Sequence, residues 1–221
     1  RTCVVIDVLR ATTTIVHALA AGASQVIPCL EVDEARRVAA EIGSSAVLGG
    51  ERAGGKIAGF DLGNSPAEYT RSTVGGKTLV FTTTNGTRAL ARCKAAKQVL
   101  IGAFVNFSAI CSELAAAESV ALICGGTDGE VTREDALLAG AIVVELPRSE
   151  STTLNDQAEL AADAWRTAVR FLTDRPLGMT LRDSRGGRNL IGIGHENDID
   201  LAAQIDRLDL VPELDLAAWR I

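Results

Sequence analysis

From Cys3 to Cys124 the chain alternates short aliphatic runs with helix-period segments, and that alternation limits the fold more than any other feature. Cys3–Val8 is a continuous apolar run ended by charge, followed by a helix from Thr12 to Ala21 with Gly22 placed to stop it. Gln25–Leu30 reads as the next strand, Asp33 as the N-cap of a helix over Glu34–Ile42, and Ala46–Leu48 as a third short strand. This is a βαβαβ order, which right-handed crossovers turn into a parallel sheet covered on both faces. The rhythm breaks over Gly49–Ser65, a glycine-rich stretch without a period, and such long loops carry function. It resumes with strands at Thr78–Phe81, Gln98–Ile101 and Val120–Cys124 and helices at Gly86–Cys93 and Phe107–Ala117. Thr132-Arg133-Glu134-Asp135 opens a further helix in capping-box style. Aromatic residues are only 4% of the chain, so its core is aliphatic, as buried parallel strands require.

The expected fold class is therefore α/β, a three-layer α/β/α arrangement with a largely parallel sheet. A faint echo, strand then threonine triplet then helix, joins Ile6–Thr14 to Leu79–Gly86 and predicts two similar halves by duplication. At 221 residues the chain is read as one domain over 1–221. Its two subdomains are expected at roughly residues 1–75 plus C-terminal elements, and 76–150. The C-terminal part turns helical: Asp156–Thr173 places Leu160, Trp165, Ala168, Val169 and Leu172 on one stripe. A helix near Asp198–Leu208 and a short strand around Asp209–Leu214 follow.

A formal net charge of −6 with no basic stripe argues against a nucleic-acid partner. No apolar run reaches the length of a membrane span, and no charged-then-apolar leader precedes the first strand. The five cysteines lie in apolar segments without close spacing, which fits small buried hydrophobes in a reducing cytoplasm rather than disulfides or zinc. A homodimer is the default oligomer.

Polar groups at the C-terminal ends of parallel strands face the crevice where open α/β sheets bind ligands. Asp7 and Arg10 follow the first strand, Glu51 and Arg52 the third, and Thr82-Thr83-Thr84-Asn85-Gly86-Thr87 the fourth. Gly125–Glu130, leading to Glu134 and Asp135, follows a later one. Carboxylates hold hard cations, helix-start N–H groups and hydroxyls hold anions, and arginine grips phosphate or sulfonate with a two-pronged fork. Each residue also has an ordinary structural role: Arg10 covering a helix start, the threonines capping, and Asp135, on spacing alone, a first-turn helix acid. It is the convergence of several strand ends that favours a site.

Three familiar motifs fail. Gly50–Ile57 resembles a P-loop but has Ile57 where Ser or Thr must stand. Cys124 precedes glycines like a cysteine-phosphatase loop, yet Glu130 occupies the arginine position. An aspartyl-phosphatase would carry a second Asp where Leu9 stands. His17, inside the first helix, reads as packed, and His195 sits in a glycine loop.

Taken in order, Val4–Thr14, Gly50-Glu51-Arg52, Gly59–Pro66, Thr82–Thr87, Glu134-Asp135 with Ala139-Gly140, and Gly186–Asp198 resemble the 2-phosphosulfolactate phosphatase family over nearly the whole chain. The resemblance implies a Mg²⁺-dependent hydrolase that converts 2-phospho-3-sulfolactate into 3-sulfolactate and phosphate, within coenzyme M biosynthesis in methanogens and other sulfolactate metabolism in bacteria. On that chemistry, Asp7 and Glu51, with Asp135 or Glu134, hold Mg²⁺. Arg10 and Arg52 clamp the phosphate or sulfonate, and Thr83, Thr84, Asn85 and the Gly86 N–H complete an anion cradle. The general base stays open. Two alternatives share these residues: a phosphatase for another small 2-phosphorylated hydroxyacid, and a non-catalytic module that binds a small anion.

Overall fold

The structure, a computed structural model, describes residues 1–171 and 175–221. Leu172 and Thr173, placed above in the helix begun at Asp156, lie outside those residues. In chain order the first elements are β1 (Thr2–Ile6), α1 (Ala11–Ala20), β2 (Gln25–Pro28), α2 (Val32–Ile42), β3 (Ala46–Arg52), β4 (Gly55–Lys56), α3 (Arg71–Val74) and β5 (Thr78–Thr82). Next come α4 (Gly86–Ala91), β6 (Gln98–Gly102), α5 (Phe107–Leu114), β7 (Val120–Cys124) and α6 (Arg133–Glu145). The chain finishes on α7 (Asp156–Val169), α8 (Leu177–Arg182), α9 (Arg185–Gly192) and α10 (Glu196–Ala202).

The strands form parallel sheets flanked by helices, the α/β/α layering expected, but in two sheets rather than one. One has the order β6-β1-β7, all parallel, with Val4 level with Leu100 and Leu122. The other runs β2-β5-β3-β4, with only β3 and β4 antiparallel. This corrects the reading of β1, β2 and β3 as one βαβαβ sheet. β1 is buried along its whole length and on both faces, so it takes a central place, and its neighbours come from far along the chain. Apolar content sets that central position; it does not choose the partners.

Side-chain alternation assigns the layers. Cys3 and Val5 pack with Ile15 and Val16 of α1, Ala89 and Leu90 of α4, and Leu79 and Phe81 of β5. Val4 and Ile6 face the opposite way, onto Ile110 of α5 and Leu138 and Ile142 of α6. Val80 meets Ala35 and Ala39 of α2 on the far face of the second sheet. Helices α1 and α4 are thus a middle layer shared by both sheets, and both helices begin where strands from the two sheets end. The two sheets are joined by the C-terminal segment. Ile101 N–H donates to Pro212 O (2.9 Å) and Leu214 N–H to Val99 O (2.8 Å). Further on, Ile221 and Val26 exchange both backbone hydrogen bonds (2.7 and 2.8 Å), covering the outer edge of β2. The expected strand at Asp209–Leu214 is therefore only a bridge, Leu100 to Glu213, within this strap.

Other local expectations are revised. The N-cap of α2 is Glu31, in a capping box with Glu34, and Asp33 lies inside the helix. The stretch from Gly49 is no loop at first: β3 continues to Arg52, turns through Ala53 and Gly54 at positive φ, and returns as β4. On α7, Trp165 and Ala168 of the expected stripe pack into the core, whereas Leu160 is 70% exposed and Val169 43%, so the stripe is only half packed. Small residues complete the docking. Gly140 of α6 lies so close to α7 that a Cβ there would overlap Ala161 O and reach within 3.0 Å of the Trp165 Cβ. No helix among the described residues is long and apolar enough to cross a membrane.

Gly140→Val should accordingly force α6 and α7 apart and cost about 1–3 kcal/mol or more of stability. Urea or thermal unfolding of the variant against the parent measures this, and an unchanged midpoint would show that the two helices do not need their close approach.

Candidate active site

The segment Asp7–Arg10 leaves β1 at its C-terminal end, and contacts from most of the fold converge on it. Its backbone is pinned locally by threonines of α1. Thr12 Oγ1 donates to Asp7 O (2.9 Å) and accepts from Asp7 N (3.0 Å), while Thr13 Oγ1 donates to Val8 O (2.8 Å). Asp7 is buried, and its Oδ1 accepts from Ala11 N (3.2 Å) in the first turn of α1. Its Oδ2 faces Gly86, where a Cβ would lie 2.8 Å from that oxygen and collide with the Ala11 methyl. Only glycine lets the start of α4 approach so closely.

Glu134 and Asp135 enter from the first turn of α6, both buried. The capping box read from Thr132 onward does not form, since Thr132 makes no cap and its Oγ1 is buried without a partner. Asp135 is not a helix cap either. Its Oδ1 accepts from Val8 N (2.8 Å) and its Oδ2 from Gly126 N (2.9 Å), so it ties the exit of β1 to the exit of β7. Glu134 Oε2 is buried with no hydrogen-bond partner, and Oε1 lies where a Cβ on Gly186 of α9 would stand. Glu51, at the end of β3, accepts Thr84 N on Oε1 (2.7 Å) and Gly54 N on Oε2 (2.8 Å).

The cluster is strongly acidic. Burial pushes the Asp7 carboxyl up to about 7; the Ala11 N–H and the Arg10 charge pull it down, while Glu51 and Glu134 push it further up. Asp135 is also held well above the usual carboxylate range, by burial first and then by the Asp7 charge. Arg10 is the one buried basic side chain among the described residues. Its Nη1 donates to Asp198 Oδ2 (2.8 Å) and its Nη2 to Gly54 O (2.8 Å). Arg52 donates to Glu51 O, Leu30 O and Thr82 Oγ1 at 2.8–2.9 Å.

The second strand-end threonine group surrounds the start of α4. Thr83 Oγ1 accepts from Thr87 N (3.2 Å), Thr84 Oγ1 is buried without a partner, and Asn85 and Gly86 follow directly. The two triplets do not occupy equivalent places. Thr12–Thr14 lie inside α1, whereas Thr82 ends β5 and Thr83 and Thr84 lie in the turn before α4. Cys124 is no nucleophile: burial, with Asp135 and Asp7 nearby, pushes its thiol up to about 12. His17 is held below its ordinary value by burial and by Arg207.

The sequence reading placed Ser65, Gly186 and Asp198 in segments of the family resemblance but gave none of them a role in the site. Asp198 accepts Arg10 and also Ser65 Oγ (2.5 Å), and His195 Nδ1 lies 3.4 Å from its Oδ2. A first-turn helix acid has an ordinary explanation, so no local signal marks it.

Residues 1–216 match the family model described as 2-phosphosulpholactate phosphatase. A protein of Thermotoga petrophila is 41% identical over 214 residues, covering 97% of this chain and 89% of its own length. Others from Symbiobacterium thermophilum (41%, 96% and 90%) and Carboxydothermus hydrogenoformans (39%, 99% and 88%) are similar over the same extent. All three are named "Probable 2-phosphosulfolactate phosphatase".

The charge cluster makes a prediction for the cation-free protein. The Asp7 carboxyl keeps its proton to about pH 7 when folded but only to about 3.8 when unfolded. The folded state therefore binds more protons between those values, and this group's contribution to stability falls as pH rises through that window. Asp7→Asn should be more thermostable than the parent at pH 8 in chelator, with the difference shrinking toward pH 4. Melting curves across that range decide it; a variant less stable at every pH would refute the assignment.

Proposed function

The chain belongs to the 2-phosphosulpholactate phosphatase family, and on that footing we propose that it hydrolyses 2-phospho-3-sulfolactate to 3-sulfolactate and phosphate with a bound Mg²⁺ ion. One observation carries the reading: four buried carboxylates gather around the end of β1, and three of their oxygens, Asp7 Oδ2 and both oxygens of Glu134, make no hydrogen bond among the described residues. Asp135 and Glu51 already accept backbone amides on both oxygens. No three His, Cys, Asp or Glu side chains among the described residues close into a finished cage. That suits Mg²⁺, which keeps waters and is commonly held by one or two carboxylates together with substrate phosphate.

The four acids therefore divide their work. Asp7 and Glu134 hold the ion, and Glu51 and Asp135 fix the loops around it. The ion, when bound, supplies positive charge against the phosphoryl oxygens and acidifies a water. The chain orients the substrate in the same crevice. Thr84 Oγ1 and the Asn85 and Gly86 N–H groups offer donors to phosphoryl oxygens, and Asp7 keeps α4 at the distance where they reach. Arg10, fixed on one edge by Asp198 and Gly54, presents its remaining N–H groups to the substrate's phosphate or sulfonate. Arg52 braces the turn that carries Glu51. In the overall reaction water adds to phosphorus, the bond from phosphorus to the 2-oxygen breaks, and that oxygen leaves as the hydroxyl of sulfolactate. A reducing cytoplasm is the setting that suits five free thiols.

Phosphate release from 2-phosphosulfolactate, 2-phosphoglycolate and 2-phospholactate, with Mg²⁺ and with chelator, tests the proposal. Turnover should be fast only with the sulfonate and should stop in chelator, because a pocket built for a sulfonate rejects the other substrates. Asp7→Asn and Glu134→Gln should each lower kcat by at least roughly 10²-fold. Release from none of the three would favour an anion-binding module, and release without a divalent cation would remove the ion from the proposal.

A further inference from the structure

Among the groups around the Asp7 crevice, Asp198 touches the proposed substrate site only through Arg10. It sits in the first turn of α10 and is 2% exposed, yet its carboxylate takes no amide of its own helix. Oδ2 accepts Arg10 Nη1 and Oδ1 accepts Ser65 Oγ. A buried ion pair is weak evidence for stability, since apolar packing usually serves as well. Its geometry is more informative. Asp198 holds one terminal nitrogen of Arg10 and Gly54 O holds the other, and two fixed acceptors on a rigid planar group set its orientation. The connection goes further: Gly54 N is bound by Glu51 Oε2, and Glu51 Oε1 binds Thr84 N at the start of the anion-facing turn. A line of hydrogen bonds, joined through the covalent backbone of Gly54, thus runs from α10 through Arg10 and Glu51 to that turn.

We infer that Asp198 is a positioning residue for substrate binding, aiming the Arg10 guanidinium at the substrate's anionic group from the C-terminal part of the chain. The inference rests on the reading of Arg10 as a substrate ligand. Ser65 assists by fixing the second oxygen of Asp198, so that the carboxylate cannot rotate away from Arg10.

Steady-state kinetics with Mg²⁺, and inhibition by inorganic phosphate as the binding probe, test it in Asp198→Asn, Arg10→Gln, the double variant and Ser65→Ala. Asp198→Asn should raise KM and the phosphate inhibition constant roughly tenfold while kcat changes by less than about threefold. Arg10→Gln should do the same, and the double variant should be no worse than either single one, because the two act as a unit. Ser65→Ala, which removes no charge, should raise both constants about two- to threefold and lower the melting temperature only by the few degrees that one lost buried hydrogen bond costs. It decides the matter alone if Asp198→Asn does not fold. Normal phosphate inhibition in Asp198→Asn or Ser65→Ala, alongside weakened inhibition in Arg10→Gln, would overturn the inference and leave the reading of Arg10 intact. Additive losses in the double variant would overturn it too. Normal phosphate inhibition together with an unchanged KM in Arg10→Gln would overturn the reading of Arg10 itself.

Discussion

Like charge concentrated without solvent is the constraint on which the rest of the structure depends. Asp7, Glu51, Glu134 and Asp135 are all buried around one strand end, and the one buried guanidinium nearby is directed onto Asp198. Carboxylates in such a place tend to keep their protons, and Asp7 and Asp135 are both displaced in that direction. The fold bears this through backbone amides. Ala11, Val8, Gly126, Thr84 and Gly54 each donate an N–H to one of the acids. These bonds let the chain bury negative charge without dispersing it, and they orient the oxygens left over. The acidic cluster has been assembled at the expense of the stability that an apolar plug would give.

The topology explains how the acids can be brought together at all. Asp7 and Gly125 leave the β6-β1-β7 sheet, while Glu51 and Thr83 leave the β2-β5-β3 sheet. The shared helices α1 and α4 begin in the space between those exits, so each sheet supplies part of the crevice and neither holds a complete set. Relative placement of the two sheets then becomes a functional matter. The middle helical layer and the C-terminal strap, bonded to β6 on one side and β2 on the other, are what fix it. Truncation of an ordinary terminus costs little. This one holds two sheet edges.

Much of this was legible in the sequence, for identifiable reasons. A strand buried on both faces needs an uninterrupted aliphatic run, so β1, β5 and β6 announce themselves, as does the half-buried edge strand β7, and the polar residue ending each run must lie at the crevice. Asp7, Glu51 and the Thr82–Gly86 turn were found in that way. Pairing was not legible, because apolar runs of similar length do not encode their neighbours, and β1 was placed beside β2 when it lies between β6 and β7. Asp135 lies in the first turn, as its spacing implies, but the partners that tie it to Val8 and Gly126 lie on other elements and leave no local signal. The α7 stripe was half legible. Trp165 and Ala168 pack inward, but Leu160 and Val169 do not, because the close approach at Gly140 brings small residues of α7 to the contact.

Electrostatics joins these strands of argument. The formal charge of −6 describes a surface that repels polyanions, yet the proposed substrate carries a phosphate and a sulfonate. The crevice does not resolve this with a field of free arginines, since Arg10 and Arg52 both have protein partners on their terminal nitrogens. Instead, on the proposed reading, the acids leave a local deficit of positive charge that a small divalent cation would satisfy, and a bound cation would reverse the sign of the site. Arg10 contributes what a spherical ion does not, a direction. Its plane is fixed by Asp198 and Gly54, so its remaining donors face one way. On the proposed reading the ion would supply affinity, and the rigid fork would set the orientation in which an anionic group is received. Asp198 and Ser65, which hold that fork, would then serve substrate binding as well as folding.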